Sequence, residues 1–195
     1  MIEQGVWLSI PMFGTFNDAR DGKGEGGCHD FLLVDCNAHG KPSYYAFKGF
    51  NQLADTNRLE ATGTDHVNLA VIAGKRNNEV IIIISNHDTR AYKEKYEDKI
   101  LDGKSPAPKK PSPAWFEYNA YVAKYGEPKV YNKYTLTLNN LPWSPSDQVT
   151  YERYIVDDNK KLELTETKTI PGGSTLTFTK DISAPSVEVV KVYVK

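Results

Sequence analysis

Residues 67–86, VNLAVIAGKRNNEVIIIISN, carry two adjacent strand patterns. Val67, Leu69 and Val71 alternate with Asn68 and Ala70, the period of two expected of a strand with one buried face. The β-branched run that follows, Glu79–Ser85, does not alternate, which fits a central strand covered on both faces. Between them Lys75–Asn78 reads as a four-residue turn, so the pair forms a hairpin.

Four more segments carry strand signals: Tyr134–Leu138, where Thr135 and Thr137 alternate with apolar residues; Val149–Val156; Thr175–Thr179, after the turn Pro171-Gly172-Gly173; and Val187–Val194. Six or so short strands bounded by turn residues predict a mainly β chain, an antiparallel β-sandwich. The stretch before the hairpin is different. In KPSYYAFKGFNQLAD, residues 41–55, Tyr45, Phe47, Phe50, Leu53 and Ala54 recur at three- and four-residue steps, and Pro42 suits a first helical turn. This predicts one N-terminal helix over Pro42–Ala54, too short to stand without a surface to lie on. Gly5–Ile10 and Phe31–Val34 read as short strands flanking a Gly- and Asp-rich loop.

Residues 87–128 read as an insertion between two sandwich strands. Its parts are a charged helix-permissive stretch (89–103), a proline- and lysine-rich extended path (104–115), and a second helical pattern over Pro113–Tyr125.

Composition narrows the function. The 24 Lys and Arg nearly balance 25 Asp and Glu, giving a net charge of −1. That leaves no broad cationic surface for nucleic acid. The longest strongly apolar run, Val80–Ile84, is far below the roughly 20 residues of a membrane helix. The start, MIEQGVWLSIPMFG, lacks the basic region of a signal peptide, and no compartment is assigned. Cys28 and Cys36 are too few for a disulfide scaffold; they stand as free thiols or bridge one loop.

Chemistry-bearing residues are scattered. Asn78-Glu79 has the order of a glycosidase acid/base dipeptide but precedes a strand, and a solvated turn is the plainer reading. Asp18, Asp21, Glu25 and Asp30 crowd one loop without the spacing of an EF-hand. His29, His39, His66 and His87 form no HxH or HExxH pair, so no metal is expected. Gly22–Gly27 lacks the context of a phosphate loop, and no cofactor is expected. Trp7, Trp115 and Trp143 are candidates to stack on sugar rings, against the alternative that a sandwich tryptophan is core.

Gly26-Gly27, the run Gly40-Lys41-Pro42-Ser43-Tyr44-Tyr45-Ala46-Phe47, Leu53, Asp55 and Asn86 together resemble the end of the catalytic barrel and the following sandwich of glycoside hydrolase family 39. That family contains β-xylosidases and α-L-iduronidases. The segments YTLTLNNLP (134–142) and YERYIVDDNK (151–160) resemble its later sandwich strands. The resemblance implies that residues 1–57 are the remnant of a (β/α)8 barrel and residues 58–195 a sandwich carrying the 87–128 insertion. It also implies that Trp7 matches a tryptophan lining the sugar pocket. The family's two catalytic glutamates would lie upstream of residue 1, so no catalytic residue is carried over. The partners expected are xylan or a xylo-oligosaccharide, and either the missing barrel or a second copy of the chain.

Overall fold

The computed structural model describes residues 39–64, 68–87 and 129–194. They form helix α1 (Pro42–Phe50), running into a 3-10 turn at Asn51–Leu53, and eight strands. The strands are β1 (Asn57–Leu59), β2 (Leu69–Arg76), β3 (Glu79–Asn86), β4 (Lys133–Leu138), β5 (Gln148–Val156), β6 (Lys161–Pro171), β7 (Leu176–Asp181) and β8 (Ser186–Val194). Six make one sheet in the order β1-β2-β3-β8-β5-β6, and β4 and β7 make a two-stranded ribbon. All pairings are antiparallel. The architecture is an open, sandwich-like β fold with one short helix, as the alternating segments predict.

β3 explains why the isoleucine run shows no alternation. Ile81 and Ile83 face α1 and its 3-10 turn through Phe50 and Leu53. Val80, Ile82 and Ile84 face the ribbon side, in a core shared with Tyr134, Leu138, Tyr151, Val190 and Val192. A strand between two apolar layers must be apolar at every position. The β2–β3 connection is tighter than the four-residue turn read from sequence. Lys75 pairs with Val80 and Arg76 with Glu79, leaving Asn77-Asn78 as a two-residue turn. Asn77 takes φ +48°, which asparagine tolerates in such hairpins.

α1 begins at Pro42 as expected and ends at Phe50, four residues early, and the 3-10 turn carries the helical path on to Leu53, one residue short of the predicted span. Gly49 is its buried residue, and the site of a Cβ there would lie 2.9 Å from Val189 Cγ2. Glycine thus lets the helix sit close on β8. Its cost in helix propensity, about 1 kcal/mol, is the counterpart of that close approach.

β6 has no counterpart among the strands read from sequence. Its residues, KLELTETKTIP, are mostly polar and exposed, because it is an edge strand with little apolar surface to bury. β7 runs over Leu176–Asp181 rather than 175–179. The segments Gly5–Ile10 and Phe31–Val34, and the insertion with its helical stretches at 89–103 and 113–125, lie outside the described residues.

Candidate functional site

The densest group of chemistry-bearing side chains lies between the sheet and the ribbon. Glu188 on β8 is 1% exposed. It shares its face with Val190, Val192 and Val194 by strand alternation, so the carboxylate occupies a position where the pattern calls for valine. Arg153 on β5 donates from Nε to Glu188 Oε2 at 2.7 Å and from a terminal nitrogen to Oε1. The same guanidinium donates to the Asp181 carbonyl on β7 at 2.7 Å. Tyr134 on β4 donates its hydroxyl to Glu188 Oε2 at 2.8 Å. Burial first, and then the Glu188 charge beside it, push the Tyr134 hydroxyl far above its ordinary range, so it stays protonated and donating. One carboxylate and one guanidinium therefore tie both ribbon strands to the large sheet.

A second set adjoins it. Tyr151 stacks on Phe178 with centroids 4.5 Å apart, and Lys180 Nζ lies 5.1 Å from the Tyr151 ring centre. Lys180 also donates to both oxygens of Glu166 at 2.6 Å, and Lys168 pairs with the same carboxylate. Burial works against ionised Glu166, but the hydrogen bonds and charges of Lys168 and Lys180 outweigh it and hold the carboxyl below its usual range. On the helix side of the sheet, Glu152 accepts from the hydroxyls of Tyr154 at 2.8 Å and Tyr193 at 3.1 Å. Burial and the Glu152 hydrogen bond push Tyr154 up to about 12.

This arrangement suits a clamp more than a catalyst. Glycoside hydrolysis requires one carboxylic acid able to give a proton and one carboxylate free to act on sugar or water. Glu166 and Glu188 flank β5 on neighbouring strands. Glu166 is held ionised by two lysines, and the oxygens of Glu188 are engaged by Arg153 and Tyr134.

Of the residues read from sequence, Trp143 is 7% exposed and belongs to the ribbon-side core. It takes the packing alternative, and its ring is not presented for stacking. Glu79 accepts from Arg76 Nε at 2.9 Å across the β2–β3 turn, a surface ion pair rather than an acid/base residue. His39 and His87 are exposed. Trp7, Trp115, Cys28, Cys36, His29, His66, the loop acids Asp18, Asp21, Glu25 and Asp30, and Gly22–Gly27 lie outside the described residues. Among the described residues no three His, Cys, Asp or Glu side chains group as a metal site, and no helix is long and apolar enough to cross a membrane. The sequence reading missed Tyr134, Arg153 and Glu188. The available signal was a lone acid at an inward position of the valine-rich strand 186–194.

No family model matches the sequence, and no curated protein matches it either. Solved structures do match in fold. A glucosidase from Croceicoccus marinus aligns at TM-score 0.60 and 19% identity, over 86% of this chain and 34% of that one. A glycoside hydrolase family 39 enzyme from Xanthomonas axonopodis pv. citri aligns at TM-score 0.52 and 8% identity, over 84% and 32%. A monomeric β-xylosidase from Caulobacter crescentus CB15 aligns at TM-score 0.50 and 13% identity, over 86% and 33%. The chain thus spans about a third of the length of the solved structures it matches. The fold it shares with them agrees with the resemblance to the C-terminal part of family 39 enzymes.

Proposed function

We propose that this chain is the C-terminal β-sandwich region of a glycoside hydrolase acting on plant polysaccharide of the xylan type, and that it does not hydrolyse glycosides by itself. The observation that carries this reading is the proportion of the match: more than four-fifths of the chain aligns with about a third of each enzyme. The engaged state of Glu166 and Glu188 supports it from the other side, because neither is placed as an acid/base pair.

On this reading residues 1–57 close a barrel, and residues 58–195 form the sandwich with its insertion at 87–128. The two catalytic carboxylates belong to the barrel, which takes roughly 250 residues. The partner of this region is that barrel, and xylan or a xylo-oligosaccharide is the substrate it helps to hold. A binding-module role for the chain alone retains only Trp7 and Trp115 as stacking residues, since Trp143 packs in the core.

Reading the coding DNA upstream of Met1 tests the proposal. An open frame encoding barrel strands with two glutamates is the expected result. A chain that begins at Met1 and degrades xylan unaided would overturn it. Retention on insoluble xylan, lost in Trp115→Ala, would instead favour the binding-module role.

A further inference from the structure

β6 closes one side of the large sheet, and among the described residues no strand lies against its outer edge. The direction of its backbone groups follows from the ladder. Gly172 N donates to the Asp147 carbonyl at 2.8 Å, in the same register that pairs Val149 with Ile170, Tyr151 with Lys168 and Arg153 with Glu166. Bonded pairs alternate along an antiparallel ladder, so these residues turn their N–H and C=O groups toward β5. The intervening residues Thr167, Thr169 and Pro171 turn theirs outward. All three are exposed.

This edge is open over a short window. At one end Pro171 stands at an outward position and has no N–H to donate. At the other the ladder slips between Arg153 and Tyr154, leaving Thr165 unmatched as a bulge, and bulges twist an edge away from further pairing. Continuous stacking is thereby disfavoured, and what remains is centred on Thr167.

We propose that β6 pairs edge to edge with β6 of a second copy of this chain, antiparallel about a twofold axis through Thr167. The register follows by elimination. With the axis at Lys168, that lysine would face its own copy. With the axis at Thr169, Pro171 would stand opposite Thr167 and leave its carbonyl without a donor. With the axis at Thr167, the two Thr167 residues exchange N–H···O=C bonds. Each Glu166 then meets Lys168 of the other copy, extending the Glu166–Lys168 pair already present within one chain into a ring of alternating charge. The contact is the same patch on both copies and closes on itself, so it yields a dimer rather than a fibre. It is independent of the function proposed above.

The test is sedimentation of the full chain at about 100 µM, beside Thr167→Pro and beside Thr167→Cys in a Cys28→Ser, Cys36→Ser background. Proline at 167 removes only an outward N–H, leaving the β5–β6 bonds intact, and is expected to weaken dimerisation about tenfold or more. A bonded cross-strand pair separates Cα atoms by about 5.5 Å, within disulfide reach, so the Thr167→Cys chain is expected to cross-link to itself on mild oxidation. A wild-type chain that sediments as a monomer overturns the proposal, as does a dimer that survives Thr167→Pro. If Thr167→Pro fails to fold, by circular dichroism, the Thr167→Cys chain decides, and absence of its cross-link overturns the proposal.

Discussion

Arg153 and Glu188 form a two-pronged ion pair between the large sheet and the ribbon, with Nε to Oε2 at 2.7 Å and a carboxylate only 1% exposed. Removing one partner leaves a buried charge uncompensated, whereas replacing both with apolar groups removes the charge and the problem together. Arg153→Ala is therefore expected to lower unfolding stability by about 3–5 kcal/mol. The double variant Arg153→Met, Glu188→Leu should cost markedly less. Urea denaturation of both decides it; a single variant within about 1 kcal/mol of wild type would show that the pair is not the clamp described.

Gly49→Ala sets two effects against each other. Alanine gains about 1 kcal/mol of helix propensity, but its Cβ would fall 2.9 Å from Val189 Cγ2. Val189 is fully buried on the face of β8 that α1 covers and its χ1 is stiff, so it cannot yield cheaply. Overpacking of this kind costs about 1–3 kcal/mol. A net loss of stability is expected, read as a lower thermal midpoint; a raised midpoint would mean that α1 lifts freely from β8.

Ile82 lies wholly inside the ribbon-side core. Ile82→Ala is expected to cost about 2–5 kcal/mol, a lost transfer energy plus a cavity. Chemical denaturation that left the midpoint unmoved would place Ile82 outside the core.

Acid should weaken the fold in a defined window. Glu166 and Asp157 both titrate below their ordinary range, against burial, because Lys168 and Lys180 hold the first and the Asn159 and Lys160 groups hold the second. A carboxyl whose folded pKa is depressed stabilises the native state above its unfolded pKa, about 4.3 for Glu, and loses that contribution as pH falls through the folded value. Stability is thus expected to be level above about pH 5 and to decline below about pH 4. Glu166→Gln should make that decline shallower. An unchanged acid limb would remove Glu166 from the account.

The β fold was legible where burial imposes a pattern. The alternation at 134–138 and the isoleucine run of β3 each follow from which faces are covered, whereas at 68–71 the pattern misled, since Asn68 is buried beside Leu69 and Val71 is only half-buried. β6 was illegible for the converse reason: an edge strand buries little, so Thr, Lys and Glu are tolerated throughout, and its pairing with β5 is a tertiary fact. The inter-sheet cluster failed in another way. Tyr134, Arg153 and Glu188 are 19 and 35 residues apart along the chain, and nothing local marks them as partners. Trp143 shows the limit of composition, since the same residue type serves a sugar surface or a core, and only the packing of its neighbours distinguishes them.

The proposed lack of glycosidase chemistry in this chain alone is read from hydrolysis of an aryl β-xyloside by the purified protein. Release no faster than the uncatalysed background is expected, since ordinary glycosidases need two carboxylates free to react. Turnover well above background, abolished by substituting a single Asp or Glu, would contradict it.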